Sequence, residues 1–449
     1  MAISVLDSYL FKNLFSSDAI RRVFSDSSYT QYLINAETAL ARAQAKEGVI
    51  PAQAATLITI NCVLSKVDVD LLAKETSIVG YPVLPLVEQL VAMCPLDAGK
   101  YVHWGATTQD IMDLGSVLQM QKGLQLIRQE LVSLVQCLTA MCVKYRDIPM
   151  AGRTHLQHAL PITFGYKCAV YLSSVQRHLS RLDQLEPRCL LVQLGGAVGT
   201  LASLGTSSVG IRVRKALAQE LGLYDTNITW HVARDGIAEI INFLALVGAS
   251  LGKVALDLIL MSSTEIGEVS EPFVPHRGAS STMPQKRNPI SSELILAASK
   301  VLKSNASIVL DAMVSDFERA SGPWHLEWIA IPESFILAHG ALQQTVFVAS
   351  ELCVNNSKML QNLSLSRGLI AAEAVMMALA KHTGRQQAHS IVYNACKTCI
   401  ETNQNLADIL IGIKDVQDTL TAEDLRHLCD PINYLGSCQV MIDNVVNID

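Results

Sequence analysis

Three histidines stand in dense polar surroundings within an otherwise apolar chain. They are His103 in YVHWGATTQDIMD (101–113), and His155 and His158 in GRTHLQHALPITFG (152–165). Imidazole titrates near neutral pH, so such a ring beside a substrate can give or take a proton. Around them lie neutral hydrogen-bonding side chains: Thr107, Thr108, Gln109, Thr154 and Gln157. Fixed cations come from Arg153, Arg234, Lys286, Arg287 and Arg319. Guanidinium grips a carboxylate through two parallel N–H bonds, so the mixture suits a small substrate bearing several carboxylates. A third polar stretch, from Gln193 to Asp235, contains QLGGAVGTLASLG and WHVARD. Its glycines Gly195, Gly196 and Gly199 lack the acidic residue and βαβ setting of a dinucleotide site, and there is no Walker loop. A fourth, GASSTMPQKRNP (278–289), sets the hydroxyls of Ser280, Ser281 and Thr282 beside Lys286 and Arg287. Pro284 and Pro289 bar regular helix there.

Other candidates read as structural. His178, His339, His382, His389 and His427 stand alone. Asp110 and Asp113 suit helix capping. Met283 and Pro284 read as shape-setting. Cys396 and Cys399 have CxxC spacing without a second pair, which on a helix only means a shared face.

Long helices must position these islands. One apolar stripe runs Leu124, Ile127, Leu131, Leu134, Leu138, Met141, Tyr145; another runs Ile240, Leu244, Val247, Leu251, Val254, Leu258, Met261. Steps of three and four place each set on one helix face. Segments 162–186, 291–313 and 334–356 also read as helices, and nothing predicts a large sheet or an internal repeat. The expected fold is all-α in three helical domains, 1–104, 105–353 and 354–449, the middle one a bundle of long helices carrying the 278–289 loop. Apolar flanks on so long a bundle predict a homo-oligomer, with the two stripes at its interface.

Half of the 449 residues are hydrophobic and the formal charge is −6. No basic block is present, so nucleic acid is not an expected partner. Asn242, Lys253 and Asp257 interrupt the most apolar stretch, which therefore predicts a buried helix rather than a membrane span. Eleven scattered cysteines and no secretion signal at the start predict a reducing, cytoplasmic setting.

Ala279, Ser280, Ser281, Met283, Pro284, Lys286, Asn288 and Pro289 match the pattern GSSxMPxKxNP apart from its leading glycine. On this loop, and on the order of the other islands, the whole chain resembles the fumarase/aspartase superfamily. Within it, VHWGATTQD, LQHALPITFG, WHVARD and ERASGPWHLEW look like the 3-carboxy-cis,cis-muconate cycloisomerase group, with adenylosuccinate lyases next. His155 follows the lyase pattern, where the cycloisomerases carry Trp. The resemblance implies an all-α homotetramer with a twenty-helix core and sites shared between subunits. It implies that Ser280 is the base, taking a proton next to a carboxylate to leave an aci-carboxylate. Lys286 and Asn288 would bind that carboxylate, and His155 or His158 would act as general acid. His103, Thr107, Thr108, Gln109, Arg153, Thr154, Gln157, Arg234, Ser281, Met283 and Arg319 would complete the substrate site. Neither cofactor nor metal is implied. A fumarate-releasing lyase, a tricarboxylate decarboxylase and a non-catalytic structural member are the alternatives.

Overall fold

The three-and-four spacing of the 124–145 stripe belongs to a helix longer than the stripe, Thr108–Lys144. The second stripe lies on Asp235–Met261. The other expected helices are Phe164–Cys189, Ile290–Ala312 and Pro323–Ser350. A further long one, Asp26–Lys46, precedes them, with Ser25 capping its start through Ser28 N–H. The computed structural model describes residues 4–447 except Leu96, Thr206, Ser207 and Ala320. The fold is all-α. Among the described residues, strands form only two short antiparallel pairs: β1 (Pro149–Thr154) with β2 (Gln157–Thr163), and Val269–Ser270 with Cys353–Val354.

The chain divides into two compact units, each assembled from three segments: 1–132, 177–252 and 294–344 in the first, 133–176, 253–293 and 345–449 in the second. The expected boundary at 104/105 falls in the turn before Thr108, and that at 353/354 falls inside the Cys353–Val354 strand. In the first unit, close helix approach depends on missing side chains. A Cβ on Gly123 would lie 2.5 Å from Phe335, and one on Gly248 2.4 Å from Leu302. The second unit holds a separate small core, in which Val375, Leu379, Val392, Leu406, Leu410 and Leu425 pack together.

The stripes do not do what the sequence suggested. Every residue of the first is buried within the subunit, and in the second only Val254 is partly exposed. A knob already packed against its own chain is unavailable to a partner, so the stripes cannot supply an interface between copies. The apolar residues left exposed on the same helices are others: Val132 and Val143 on the first, Leu246, Leu256 and Leu260 on the second. Thr108–Lys144 and Asp235–Met261 are long and apolar enough to cross a membrane by length and composition. In this fold a third and a half of their most apolar stretches, respectively, are buried against protein.

Two of the lone histidines are core residues. Arg181 Nη1 donates to His178 Nδ1 at 3.3 Å, so Nε2–H donates to Ser250 Oγ at 2.9 Å. That neutral ring is satisfied, and a second proton would face Arg181. Burial, followed by the charges of Arg181 and Arg177, lowers the His178 pKa to about 4, and burial alone does the same at His339. The unfolded chain takes up these protons near pH 6.5 and the folded chain only near 4. Between those values acid therefore favours the unfolded chain. The stability present above pH 6.5 is expected to fall by up to about 3 kcal/mol per histidine on acidification to pH 4. Denaturant titrations across that range check this, and His178→Gln should flatten the slope.

Candidate active site

The first unit gathers the first and third islands and Arg319. Thr107 precedes the Thr108–Lys144 helix, and its N–H donates to Asp110 Oδ2 at 3.0 Å, the return half of a capping box. Capping is only part of this residue's work. Asp110 is fully buried and also accepts Gly195 N–H and Gly196 N–H, each at 2.9 Å, and His231 Nε2 at 2.7 Å. These bonds explain the glycine-rich turn. A Cβ at Gly195 would lie 2.7 Å from Thr229 and 2.8 Å from His231, and Gly196 has φ +71°. The glycine N–H groups therefore serve Asp110 rather than a phosphate.

Arg319 joins the two islands. Its Nη1 lies 3.5 Å from Thr107 Oγ1, and its Nη2 donates to Ala197 O at 2.9 Å. Thr108 is half-buried beside them. Gln109 is buried: Nε2 donates to His231 O at 2.8 Å, while Oε1 has no partner among the described residues. His103 has φ +59°, and its Nδ1 lies 2.6 Å from the buried carboxylate of Glu37. Burial lowers its pKa, but the charge and hydrogen bond of Glu37 outweigh that, so the pKa is raised.

Arg234 does not stand free for a substrate. Its Nη1 and Nη2 bind Asp113 at 2.9 and 3.0 Å, and Nε binds Glu327 Oε1 at 2.9 Å. All three side chains are buried. Gln193 Nε2 also donates to Asp113 at 3.2 Å. Removing the guanidinium would leave two carboxylates buried without compensation, which typically costs about 3–5 kcal/mol. In this chain, Arg234 and Asp113 lock the helix starts behind the islands.

The second unit holds the second island and the loop. Pairing of Arg153 with His158 and Thr154 with Gln157 leaves His155 and Leu156 as a two-residue hairpin turn. Both have positive φ, +50° and +62°. Such a turn normally takes Asn-Gly, so a His-Leu tip stores backbone strain, a common mark of functional positions. Thr154, His155 and Gln157 are exposed there. Arg153 is bidentate with the fully buried Glu268, at 3.0 and 2.7 Å, and Asn362 Nδ2 donates to the same carboxylate at 2.9 Å. His158, opposite Arg153, has its pKa lowered by burial and then by the Arg153 charge, with Glu268 opposing. Burial and Arg153 thus favour its neutral form.

The loop is pinched at its root. Asn288 N–H and Nδ2 both donate to Gly278 O, at 2.9 and 3.1 Å, and Ala279 pairs with Arg287. Gly278, one residue before the position where the family pattern has glycine, has φ +69°, and a Cβ there would lie 2.4 Å from Asn288 O. Within the loop, Ser280 Oγ accepts N–H bonds from Thr282 at 3.2 Å and Met283 at 3.1 Å. Ser281, Met283 and Lys286 are exposed. Both loop cations are exposed; Arg287 lies over the Phe273 ring and donates to Glu271 O, while Lys286 makes no ion pair among the described residues. Glu271 caps the Ile290–Ala312 helix through Ser291 N–H, Ser292 N–H and Ser292 Oγ. No hydrogen bond or ion pair among the described residues of one chain joins His155 or His158 to Ser280 or Lys286.

Glu37, His231, Glu268, Glu271 and Glu327 were not singled out in the sequence. The acids GEVSEP, just before the loop, were the available signal for Glu268 and Glu271.

A lyase family model matches residues 14–302, and a model of the adenylosuccinate lyase C-terminus matches residues 368–445. The chain is 43% identical over 435 residues to trans-aconitate decarboxylase 1 of Mycosarcoma maydis, covering 97% of this chain and 88% of that one. It is 42% identical over 444 residues to 3-carboxy-cis,cis-muconate cycloisomerase of Acinetobacter baylyi, covering 98% of each. Among solved structures, fumarate lyase from Mesorhizobium sp. BNC1 matches with a TM-score of 0.90 and 50% identity, over 97% of this chain and 99% of that one. The protein belongs to the lyase family of the fumarase/aspartase superfamily and is an enzyme of the lyase or cycloisomerase kind.

Proposed function

We propose that this enzyme makes or breaks a bond β to a carboxylate on an unsaturated tricarboxylate, with Ser280 as the proton-transferring base. The observation that carries the reading is the pair of backbone N–H groups on Ser280 Oγ. Hydrogen bonds to the charged form favour it, so these donors lower the cost of the alkoxide, and Lys286 six residues on adds positive charge to a closed site. In the elimination direction the alkoxide takes the proton on the carbon next to a carboxylate. The C–H electron pair moves into that carboxylate as an aci-carboxylate, held by Lys286 and Asn288. Its return forms the double bond and expels the group on the next carbon, which His155 or His158 protonates. Lactonisation is the reverse: a carboxylate oxygen adds and the proton returns to carbon. Thr107, Thr108, Gln109 and Arg319 bind the other carboxylates. Arg153 and Arg234, each paired with buried acids, act by holding the hairpin and the helix starts.

Two relatives of nearly equal identity are named for the tricarboxylates 3-carboxy-cis,cis-muconate and trans-aconitate. A nucleotide substrate fits less well. In WHLEW, Trp324 packs on Tyr81 and Trp328, and His325 on Trp328, so the segment offers rings where a phosphate would need fixed cations. We also propose a cytoplasmic homotetramer. Free cysteines and the apolar side chains left on the long helices support it.

The test is direct assay of 3-carboxy-cis,cis-muconate, trans-aconitate and adenylosuccinate, repeated with His155→Trp. Turnover of a tricarboxylate is expected. If His158 carries the acid role, that turnover survives in His155→Trp. If His155 carries it, turnover is lost. Turnover of adenylosuccinate alone overturns the tricarboxylate reading.

A further inference from the structure

A cavity of about 350 Å³ lies in the first unit, and none of the candidate site residues lines it. Its size is within the range that holds small ligands, roughly 300–1,000 Å³. The rings of Phe24, Tyr29, Trp324 and Trp328 line it, with two carboxylates, Asp26 and Glu327, and no lysine, arginine or histidine. The rings are fixed in place. Trp324 and Trp328 meet edge to face at 5.2 Å, and Tyr81 packs against both from outside, at 5.8 and 5.9 Å. Glu327 shares the single guanidinium of Arg234 with Asp113, so two carboxylates face one cation, and Asp26 adds an exposed acid with no ion-pair partner among the described residues. The character of this cavity is opposite to that of the islands, which gather cations and hydrogen-bond donors for an anionic substrate.

We infer that this cavity is a binding site for a small organic cation, an ammonium or guanidinium compound carrying apolar substituents. Ring faces attract a cation through their quadrupoles, indole most strongly, and a nearby carboxylate supplies the counter-charge. A polycarboxylate is excluded by Asp26 and Glu327, so the site is not a second substrate pocket. The inference does not depend on which reaction the enzyme performs.

The probe is phenyltrimethylammonium chloride, titrated into the intact enzyme by calorimetry, with tryptophan fluorescence read in parallel. Its neutral isostere tert-butylbenzene is the control. Saturable binding of the cation, with quenching, and at least tenfold weaker binding of the isostere are expected. Trp328→Leu should weaken cation binding about two- to thirty-fold. Asp26→Asn alters an exposed residue in the first turn of Asp26–Lys46, so the fold survives it. It should weaken the cation without changing affinity for the isostere, and this variant decides the matter if Trp328→Leu does not fold. Equal binding of cation and isostere, no saturable binding of the cation, or cation affinity unchanged in Asp26→Asn would each overturn the inference.

Discussion

Ser280→Ala is expected to lower kcat by about 10²–10⁴, the usual worth of a positioned general base, with KM changed by less than about threefold. The asymmetry follows from where the hydroxyl acts. In the ground state Ser280 Oγ accepts two backbone N–H bonds and need not touch the substrate strongly. In the transition state it receives the proton. An interaction made mainly in the transition state shows in kcat rather than KM. The loop should keep its shape, because its root is closed by the two Asn288 bonds to Gly278 O and by the Ala279–Arg287 bridge, none of which uses the serine side chain. Thermal unfolding of the variant should therefore match the parent within about 1 kcal/mol, the typical worth of the hydrogen bonds removed. Ser280→Cys separates a chemical role from a structural one. A thiol ionises more readily than a hydroxyl, so partial activity with a pH profile shifted to lower values marks the residue as the base. A Ser280→Ala enzyme with kcat within threefold of the parent removes Ser280 from the chemistry.

Side-chain spacing carried the helices and failed at the hairpin, for different physical reasons. A buried helix face must repeat at 3.6 residues, so Leu124 to Tyr145 and Ile240 to Met261 announced their helices without knowledge of any neighbour. What covers that face is a tertiary matter, and the stripes proved to be covered by the subunit itself. The hairpin at 149–163 left no such mark. GRTHLQHA has no alternation and no Asn-Gly at its tip, and its geometry is held by Arg153 reaching Glu268, 115 residues away. The candidate site divides along the same line. Loop 278–289 was legible because proline, serine and lysine are improbable together inside a helical protein. The roles of Arg234 and Asp110 were not, since a cation or an acid in a sequence does not show its partners. Only the fold reveals that Asp113 and Glu327 occupy Arg234, and that Asp110 collects Thr107, Gly195, Gly196 and His231.

If His155 carries the acid role, Ser280→Ala and His155→Ala subunits, each inactive alone, are expected to regain activity when denatured together and refolded. His155 sits at an exposed hairpin tip beside Leu156, which is 75% exposed, and Ser280 sits in a loop whose crest is exposed. A strained turn that presents a histidine and a bare leucine to solvent makes physical sense if another subunit covers it. The long helices offer the means of assembly. With the stripes spent inside the subunit, the proposed interface would fall to Leu246, Leu256 and Leu260 on Asp235–Met261 and to Val301 and Leu310 on Ile290–Ala312. Burying the exposed part of each such side chain would contribute on the order of 1 kcal/mol, so the roughly twenty of them across a tetramer would make assembly obligate. If every site draws Ser280 from one subunit and His155 from another, random assembly of equal amounts leaves about a quarter of the sites with both wild-type residues. Recovery near a quarter of parental kcat per subunit is therefore expected, alongside a tetrameric sedimentation coefficient. Each variant refolded by itself should stay inactive, which excludes repair by the procedure. Tetramers that recover nothing would mean that Ser280 and His155 serve a site within one chain. A parent enzyme that sediments as a monomer would remove the shared site and the interface together.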